Sequence, residues 1–369
     1  MDKKTIVISG VNLVDGGPLS VFLDLLDTLV ENGYTDCNRV IALVGKKELF
    51  EKYNANIELI EYRKAKRSWF YRLLCEYVLF NRFSKTLDID IWISMHDTTP
   101  NVRATHRYVY CHNPSPFNDM SIKDAKFGWK YYLFSKFYKD LYRINIKKND
   151  AVIVQQDWMR KAFKEIYGLK RVIVAYPNLP NIERFEDKSS QESFIGVFPS
   201  FPRYYKNFQI ACKAARVIAK ECAKDFKLYI TLSGTENKYA SWLKTLYGNE
   251  ANIEFCGLLS RAELFNLYER SNCLIFMSKL ESWGMPITEY KATGKPMIVS
   301  DLPYAHETVG CYENVAYVKP DDYRTLAANI MSIIEQGKFN CKINNSIPDQ
   351  PFAKNWKELA SMLINGEYK

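Results

Sequence analysis

Short apolar runs alternate with helical patterns from one end of this chain to the other, and that alternation restricts the fold to parallel β-sheets covered by helices. In the first half the strand-like runs are Thr5–Gly10, Asn38–Val44, Ile57–Glu61, Ile89–Ser94, Arg107–Cys111 and Ala151–Gln155. In the second they are Phe194–Phe198, Lys227–Leu232, Ile253–Cys256, Cys273–Met277, Met297–Val299 and Ala316–Val318. The spacing predicts a helix from about Pro18 to Glu31, with Leu19, Phe22, Leu23, Leu26 and Leu29 on one face and Gly33 beyond its end. Two prolines in Ala175–Pro180 suit neither helix nor central strand, and with the charged stretch Glu183–Gln191 they mark a linker. The 369 residues are too many for one ordinary domain. We therefore expect Rossmann-like open sheets over 1–175 and 176–350, facing a central cleft, because such sheets bind ligands outside the carboxyl ends of their strands.

Composition narrows the classes further. No tract is of low complexity, so disorder, collagen and solenoid repeats are excluded for the whole chain. The nine cysteines are odd in number and form no C-x-x-C pair, which points to free thiols in a reducing compartment. The amino terminus is basic and then apolar, but Asn12 and Asp15 fit a first buried strand better than a signal peptide. No run reaches the ~18 to 20 apolar residues of a spanning helix. The net charge of +9 favours an anionic partner without choosing among nucleic acid, sugar nucleotide and acidic membrane.

The most informative segment runs from Ser278 to Asp301. A strand ends near Met277, a loop carries Glu281, Trp283 and Gly284, and Pro286 opens a helix that starts near Met285 and closes before Gly294. Glu281 then precedes the first turn and Glu289 lies about one turn inside it, which separates the carboxylates by roughly 10 Å. A diphosphate suits the helix N-terminus between them, and each carboxylate can accept two hydroxyl donors at once. A second group is Arg203 and Lys206, in the loop after Phe194–Phe198. Two cations at the mouth of a helix can neutralise a departing diphosphate. A third is Gly16 and Gly17, whose lack of side chains allows close backbone approach. His112 follows a buried strand and enters a proline-rich loop; His96 is a weaker candidate of the same kind. Asp88-Ile89-Asp90 has a metal-binding form, yet stands where a strand begins.

The Glu-x7-Glu block of Glu281 and Glu289, the following Gly294-Lys295-Pro296, and the preceding Asn252–Gly257 and Glu263–Tyr268 resemble the donor domain of retaining glycosyltransferases of family 4, which have the GT-B fold. The resemblance implies that Glu281 contacts the donor sugar and Glu289 the nucleotide ribose. It also implies that Arg203 and Lys206 bind the diphosphate and that His112 stands beside the sugar. Gly16, Gly17, Trp283, Gly284 and Met285 would complete the donor site, with Glu307 as a further acid. Pro202 replaces the family's usual glycine before the arginine, and Trp283 its usual phenylalanine. The fold so implied puts acceptor binding on 1–175, donor binding on 176–350, and a terminal helix within 351–369 crossing back to the first domain.

The activity implied is a metal-independent, retaining transfer from a nucleoside-diphosphate sugar to a saccharide hydroxyl, with no cofactor and no nucleic acid. The acceptor would be a lipid-linked saccharide of bacterial surface polysaccharide synthesis. Two basic and aromatic stretches, Tyr62–Arg72 and Lys126–Lys139, suit either an anionic membrane surface or a pair of ordinary amphipathic helices. A cytoplasmic protein, peripheral on the inner face of the membrane, is expected. A sugar-nucleotide epimerase of the same fold and a non-catalytic basic protein that binds nucleic acid or membrane remain the alternatives.

Overall fold

The computed structural model describes residues 3–117, 122–179, 185–189, 192–342 and 347–367. Part of the expected linker, residues 180–184 and 190–191, lies outside them. The chain divides into two compact units. One comprises 1–116, 137–178 and 348–369, the other 117–136 and 179–347. The segment 117–136 thus groups with the second unit, although sequence order assigned it to the first.

The first unit holds a parallel sheet of β1 (Thr5–Gly10), β2 (Arg39–Val44), β3 (Glu58–Glu61), β4 (Ile91–Ser94), β5 (His106–Cys111), β6 (Ala151–Val154), β7 (Val172–Ala175) and β14 (Phe352–Ala353), in the order β14-β7-β6-β5-β4-β1-β2-β3. The second holds β8 (Phe194–Phe198), β9 (Phe226–Ile230), β10 (Ile253–Phe255), β11 (Cys273–Phe276), β12 (Met297–Ser300) and β13 (Val315–Val318), in the order β10-β9-β8-β11-β12-β13. Each is a doubly wound sheet, and the winding reverses between β1 and β4 in one and between β8 and β11 in the other.

Helices cover the sheets, so strands are buried on both faces and read as unbroken apolar runs. Four residues each of β4, β6, β7, β11 and β12 are all buried. The first helix, Gly16–Glu31, buries Phe22, Leu25, Leu26 and Leu29 against β1 and β2, with Leu19 and Leu23 partly covered. In the same core lie Trp356, Leu359 and Leu363 of the terminal helix Trp356–Asn365. Two strands were not foreseen: β7, whose Val172–Ala175 run abuts the prolines taken as linker, and the two-residue β14 that pairs with it. None of the nine cysteines forms a disulfide, and no helix among the described residues is long and apolar enough to cross a membrane.

Candidate functional site

In each unit the sequence-predicted residues follow the carboxyl ends of strands, the side on which open α/β sheets bind ligands: Gly16 and Gly17 follow β1 and His112 follows β5 in the first, and in the second most follow β8 and β11, the two strands that flank its reversal of winding. In the second unit, the loop after β8 carries Arg203 and Lys206 and the loop after β11 carries Glu281. Lys206 Nζ donates to Glu281 Oε1 at 2.5 Å, with only 15% and 12% of the two side chains exposed. The ammonium also stands 5.8 Å from the Phe276 ring centre. Arg203, by contrast, is exposed.

Asn207 holds this pair in place, and sequence reading missed it. It is fully buried and adopts a left-handed backbone, φ 66°, which side-chain-bearing residues rarely accept. Its Nδ2 donates to Met277 O at 3.0 Å and to Pro320 O at 2.7 Å. One amide therefore ties together the exits of β8, β11 and β13. A backbone bond from Lys279 N to Tyr205 O, 2.8 Å, adds a second tie between the two loops. Asparagine is among the few residues with a side chain that visit this backbone region, and that preference is the only signal the sequence offered.

Gly284, at φ 91°, turns the chain into the helix Met285–Lys291, with Pro286 in its first turn. Trp283, expected to line the donor, is 4% exposed. Its indole Nε1 donates to Thr288 Oγ1 at 2.9 Å and its carbonyl accepts from Thr308 Oγ1, so the ring braces the loop from within. Glu289 is half-buried; its Oε2 accepts from Tyr268 OH at 3.4 Å. Burial pushes its carboxyl above the ordinary range, against the opposing pull of Arg261 and of the Tyr268 hydroxyl. Glu307 lies on the helix Pro303–Val309 that follows β12.

Lys295 of the Gly-Lys-Pro motif works at a helix end. Its 8% exposed side chain donates to Glu269 O at 2.6 Å and Ser271 O at 2.7 Å and pairs with Asp187 at 2.8 Å. A cation there satisfies carbonyls left over by the helix Arg261–Arg270 and complements its dipole. Within the same unit, Phe127 stacks on Tyr204 at 5.1 Å and packs against Trp242 at 5.0 Å. Its ring is packing, not part of a free aromatic surface.

In the first unit, Gly16 (φ 65°) and Gly17 open the helix Gly16–Glu31 and are exposed. A side chain added at Gly17 would meet no atom within 4 Å. His112 follows β5; its backbone N–H and that of Asn113 donate to Asp97 Oδ1 at 2.9 and 3.1 Å, while its ring Nδ1 stands 3.8 Å from the same oxygen. Asp97, at φ 72°, belongs to the loop after β4.

That loop rests on buried charge. Glu76 Oε1 accepts from Arg72 Nε at 2.8 Å and lies 3.2 Å from His96 Nδ1; Thr98 Oγ1 donates to Glu76 Oε2; Arg72 also donates to His96 O at 2.7 Å. Glu76 sits in a π-helical turn, Cys75–Leu79, between the helices Trp69–Leu74 and Phe80–Ser84. Burial opposes its ionisation most strongly, but His96, Arg72 and the hydrogen bonds outweigh it and hold the carboxyl at about 2. His96 Nε2 meets Ser9 Oγ at 3.2 Å, which completes a hydroxyl–imidazole–carboxylate series. All three side chains are at 0% exposure, so no substrate reaches Ser9 and the series is structural.

Asp90 Oδ2 accepts from Thr5 N at 2.7 Å, as a strand-start contact would. Among the described residues no group of three or more His, Cys, Asp or Glu side chains is disposed to hold a metal ion. A cavity of about 510 Å³ lined by Arg143, Lys147, Lys148 and Tyr167 opens at the amino ends of β6 and β7, the wrong edge for these loops.

Known proteins resemble this chain over part of its sequence and in its fold. Residues 180–349 match the family described as Glycosyl transferases group 1. The O-antigen chain mannosyltransferase RfbU of Salmonella typhimurium is 24% identical over 221 residues, covering 58% of this chain. The chain spans about 60% of the length of that curated relative. Among solved structures, sucrose-phosphate synthase from Thermosynechococcus elongatus superposes with a TM-score of 0.67 at 14% identity, over 90% of each chain. Anabaena HepE, solved in complex with UDP and glucose, does so with 0.58 at 15% identity, also over 90% of each. Residues 180–349 thus match the glycosyl transferases group 1 model, and the two parallel-sheet α/β units have the GT-B fold.

Proposed function

We propose that the protein is a retaining glycosyltransferase that moves a sugar from a nucleoside diphosphate to a hydroxyl of a lipid-linked saccharide in bacterial polysaccharide synthesis. The observation that carries this reading is the half-buried Lys206–Glu281 pair at the reversal of the second sheet, with Arg203 exposed on the same loop as Lys206. Lys206 and Arg203 take the diphosphate, whose two charges replace Glu281 as the partner of the ammonium. Glu281, so released, accepts the sugar hydroxyls, and Glu289 accepts those of the ribose. Gly16 and Gly17 offer backbone N–H groups at the mouth of a 16-residue helix. His112 stands on the sugar's reacting side, and the first unit holds the acceptor.

The scheme uses no covalent nucleophile. In a front-face path the anomeric C–O bond to phosphate breaks, the acceptor oxygen bonds to the same face, and the leaving phosphate oxygen takes the acceptor's proton. No metal has a part in this scheme. The charges of Lys206 and Arg203 would offset the negative charge that a divalent ion otherwise neutralises.

A panel of UDP-, GDP- and ADP-sugars, read first by thermal shift and then by product analysis, tests the reading. One donor should stabilise the protein and yield a product with retained anomeric configuration. Glu281→Ala should abolish transfer while sparing the fold. Unchanged turnover in that variant would remove its role, and an isomerised sugar formed without acceptor would mark an epimerase instead.

A further inference from the structure

The helical run from Trp69 to Leu79 has two faces that do different work. Inward, Arg72, Cys75 and Glu76 are buried, and Arg72 and Glu76 hold His96 O and Thr98 of the loop after β4. Outward, Phe70, Leu74 and Val78 follow one another at four-residue spacing with 84%, 42% and 38% exposure, and Trp69 beside them is 48% exposed. No other large hydrophobic among the described residues is as exposed as Phe70. An apolar stripe of this size on one helix marks an interaction surface.

The charges around the stripe say what covers it. Lys64 and Arg67 on the entering turn and Arg82 beyond the exit are exposed. The neighbouring cations are already spoken for: Arg63 by Glu48 and Glu61, Lys66 by Asp15. Glu48, Glu61 and Asp15 are thus taken by Arg63 and Lys66, while the exposed Lys64 and Arg67 precede the apolar stripe in the chain and Arg82 follows it. Aromatic and aliphatic side chains bordered by unneutralised Lys and Arg match a surface whose outer layer is anionic and whose next layer is hydrocarbon.

We propose that this run is a docking helix that lays the first unit on an anionic lipid surface, with Trp69, Phe70, Leu74 and Val78 in the headgroup boundary and Lys64, Arg67 and Arg82 against lipid phosphates. Its buried face is bonded to the loop that carries Asp97 and, through Asp97, the His112 turn. Docking therefore orients the loops at the carboxyl edge of the first sheet with respect to the lipid. The proposal is independent of the donor chemistry, because vesicle binding is read with no sugar nucleotide present.

The test is cosedimentation of the full chain with vesicles of phosphatidylcholine alone and with the same vesicles carrying phosphatidylglycerol. Binding is expected to the second kind only, and to weaken with salt. Phe70→Glu with Leu74→Glu should reduce it at least tenfold at an unchanged melting temperature, since both side chains are exposed. Lys64→Gln with Arg67→Gln should reduce it by about fivefold per cation removed. The proposal is overturned if the native chain sediments with neither vesicle, or if the Phe70/Leu74 variant binds as the native chain does. It is equally overturned if that variant instead breaks a dimer, which would make the stripe a contact between copies. Tight RNA binding that needs Lys64 and Arg67, without vesicle binding, would also overturn it by assigning the cations to nucleic acid.

Discussion

Glu76→Gln is the substitution whose cost the structure defines best. The variant keeps shape and volume but removes the charge that Arg72 and His96 face, at a site with no access to water. Two routes give its size. The native carboxyl is held at about 2 against an ordinary 4.5, and at about 1.4 kcal/mol per pH unit that difference is worth about 3 kcal/mol. Removing one partner of a buried ion pair costs about 3 to 5 kcal/mol by itself. A loss of about 3 kcal/mol is thus expected for the first unit at pH 7. Because the folded value is depressed, this stabilisation is fully present above about pH 4.5 and fades as the pH falls toward 2. Urea unfolding of native and variant chains, followed by circular dichroism from pH 7 to pH 3, should show a gap that narrows below pH 4.5. A gap under about 1 kcal/mol at pH 7, or one that stays constant with pH, would refute the assignment of Glu76 as an ionised strut.

Three further perturbations probe the donor side. Asn207→Asp keeps the left-handed backbone accessible but sets a carboxylate against the carbonyls of Met277 and Pro320, so kcat should fall at least tenfold; Asn207→Gly, which keeps the backbone and loses both bonds, should lose less, and equal losses would deny the amide its part. Gly17→Ala adds a methyl group where nothing stands within 4 Å and favours the helix by about 0.5 to 1 kcal/mol. A stable variant with weakened donor affinity would locate the ligand at that backbone, and unimpaired affinity would remove Gly17 from the site. Nucleotide affinity should decline on acidification at a pH above the ordinary glutamate range, because burial raises Glu289 and its protonated form accepts fewer hydroxyl donors. Isothermal titration on Glu289→Gln should show no such limb; an identical limb would place the titration elsewhere.

What the sequence disclosed was governed by periodicity and by turn chemistry. Strands buried on both faces stand out as unbroken runs, so twelve of the fourteen were located from residues alone. Both misses, β7 and β14, border prolines that masked a short run. Glu281 and Lys206 were legible because strand ends, glycine and proline fix where a loop begins, yet their pairing across 75 residues was not. Arg72 and Glu76 form an i,i+4 pair of the sort usually found in solvent. Only their burial across the helix and its π-helical turn makes them internal, and no local pattern announces that. The burial of Trp283 and the bond from its indole to Thr288 were likewise not legible, because no local pattern tells a loop aromatic that packs inward from one that faces out.

The pairing of β14 with β7 and the burial of Trp356 in the first unit's core bear on how the chain is made. Emerging from the ribosome, residues 179–347 are complete before the last strand of the earlier sheet exists. The unit begun first is therefore finished last, and until then the polar edge of β7 lies open to any passing strand. A nascent polypeptide halted at residue 347 would be half native and half adhesive.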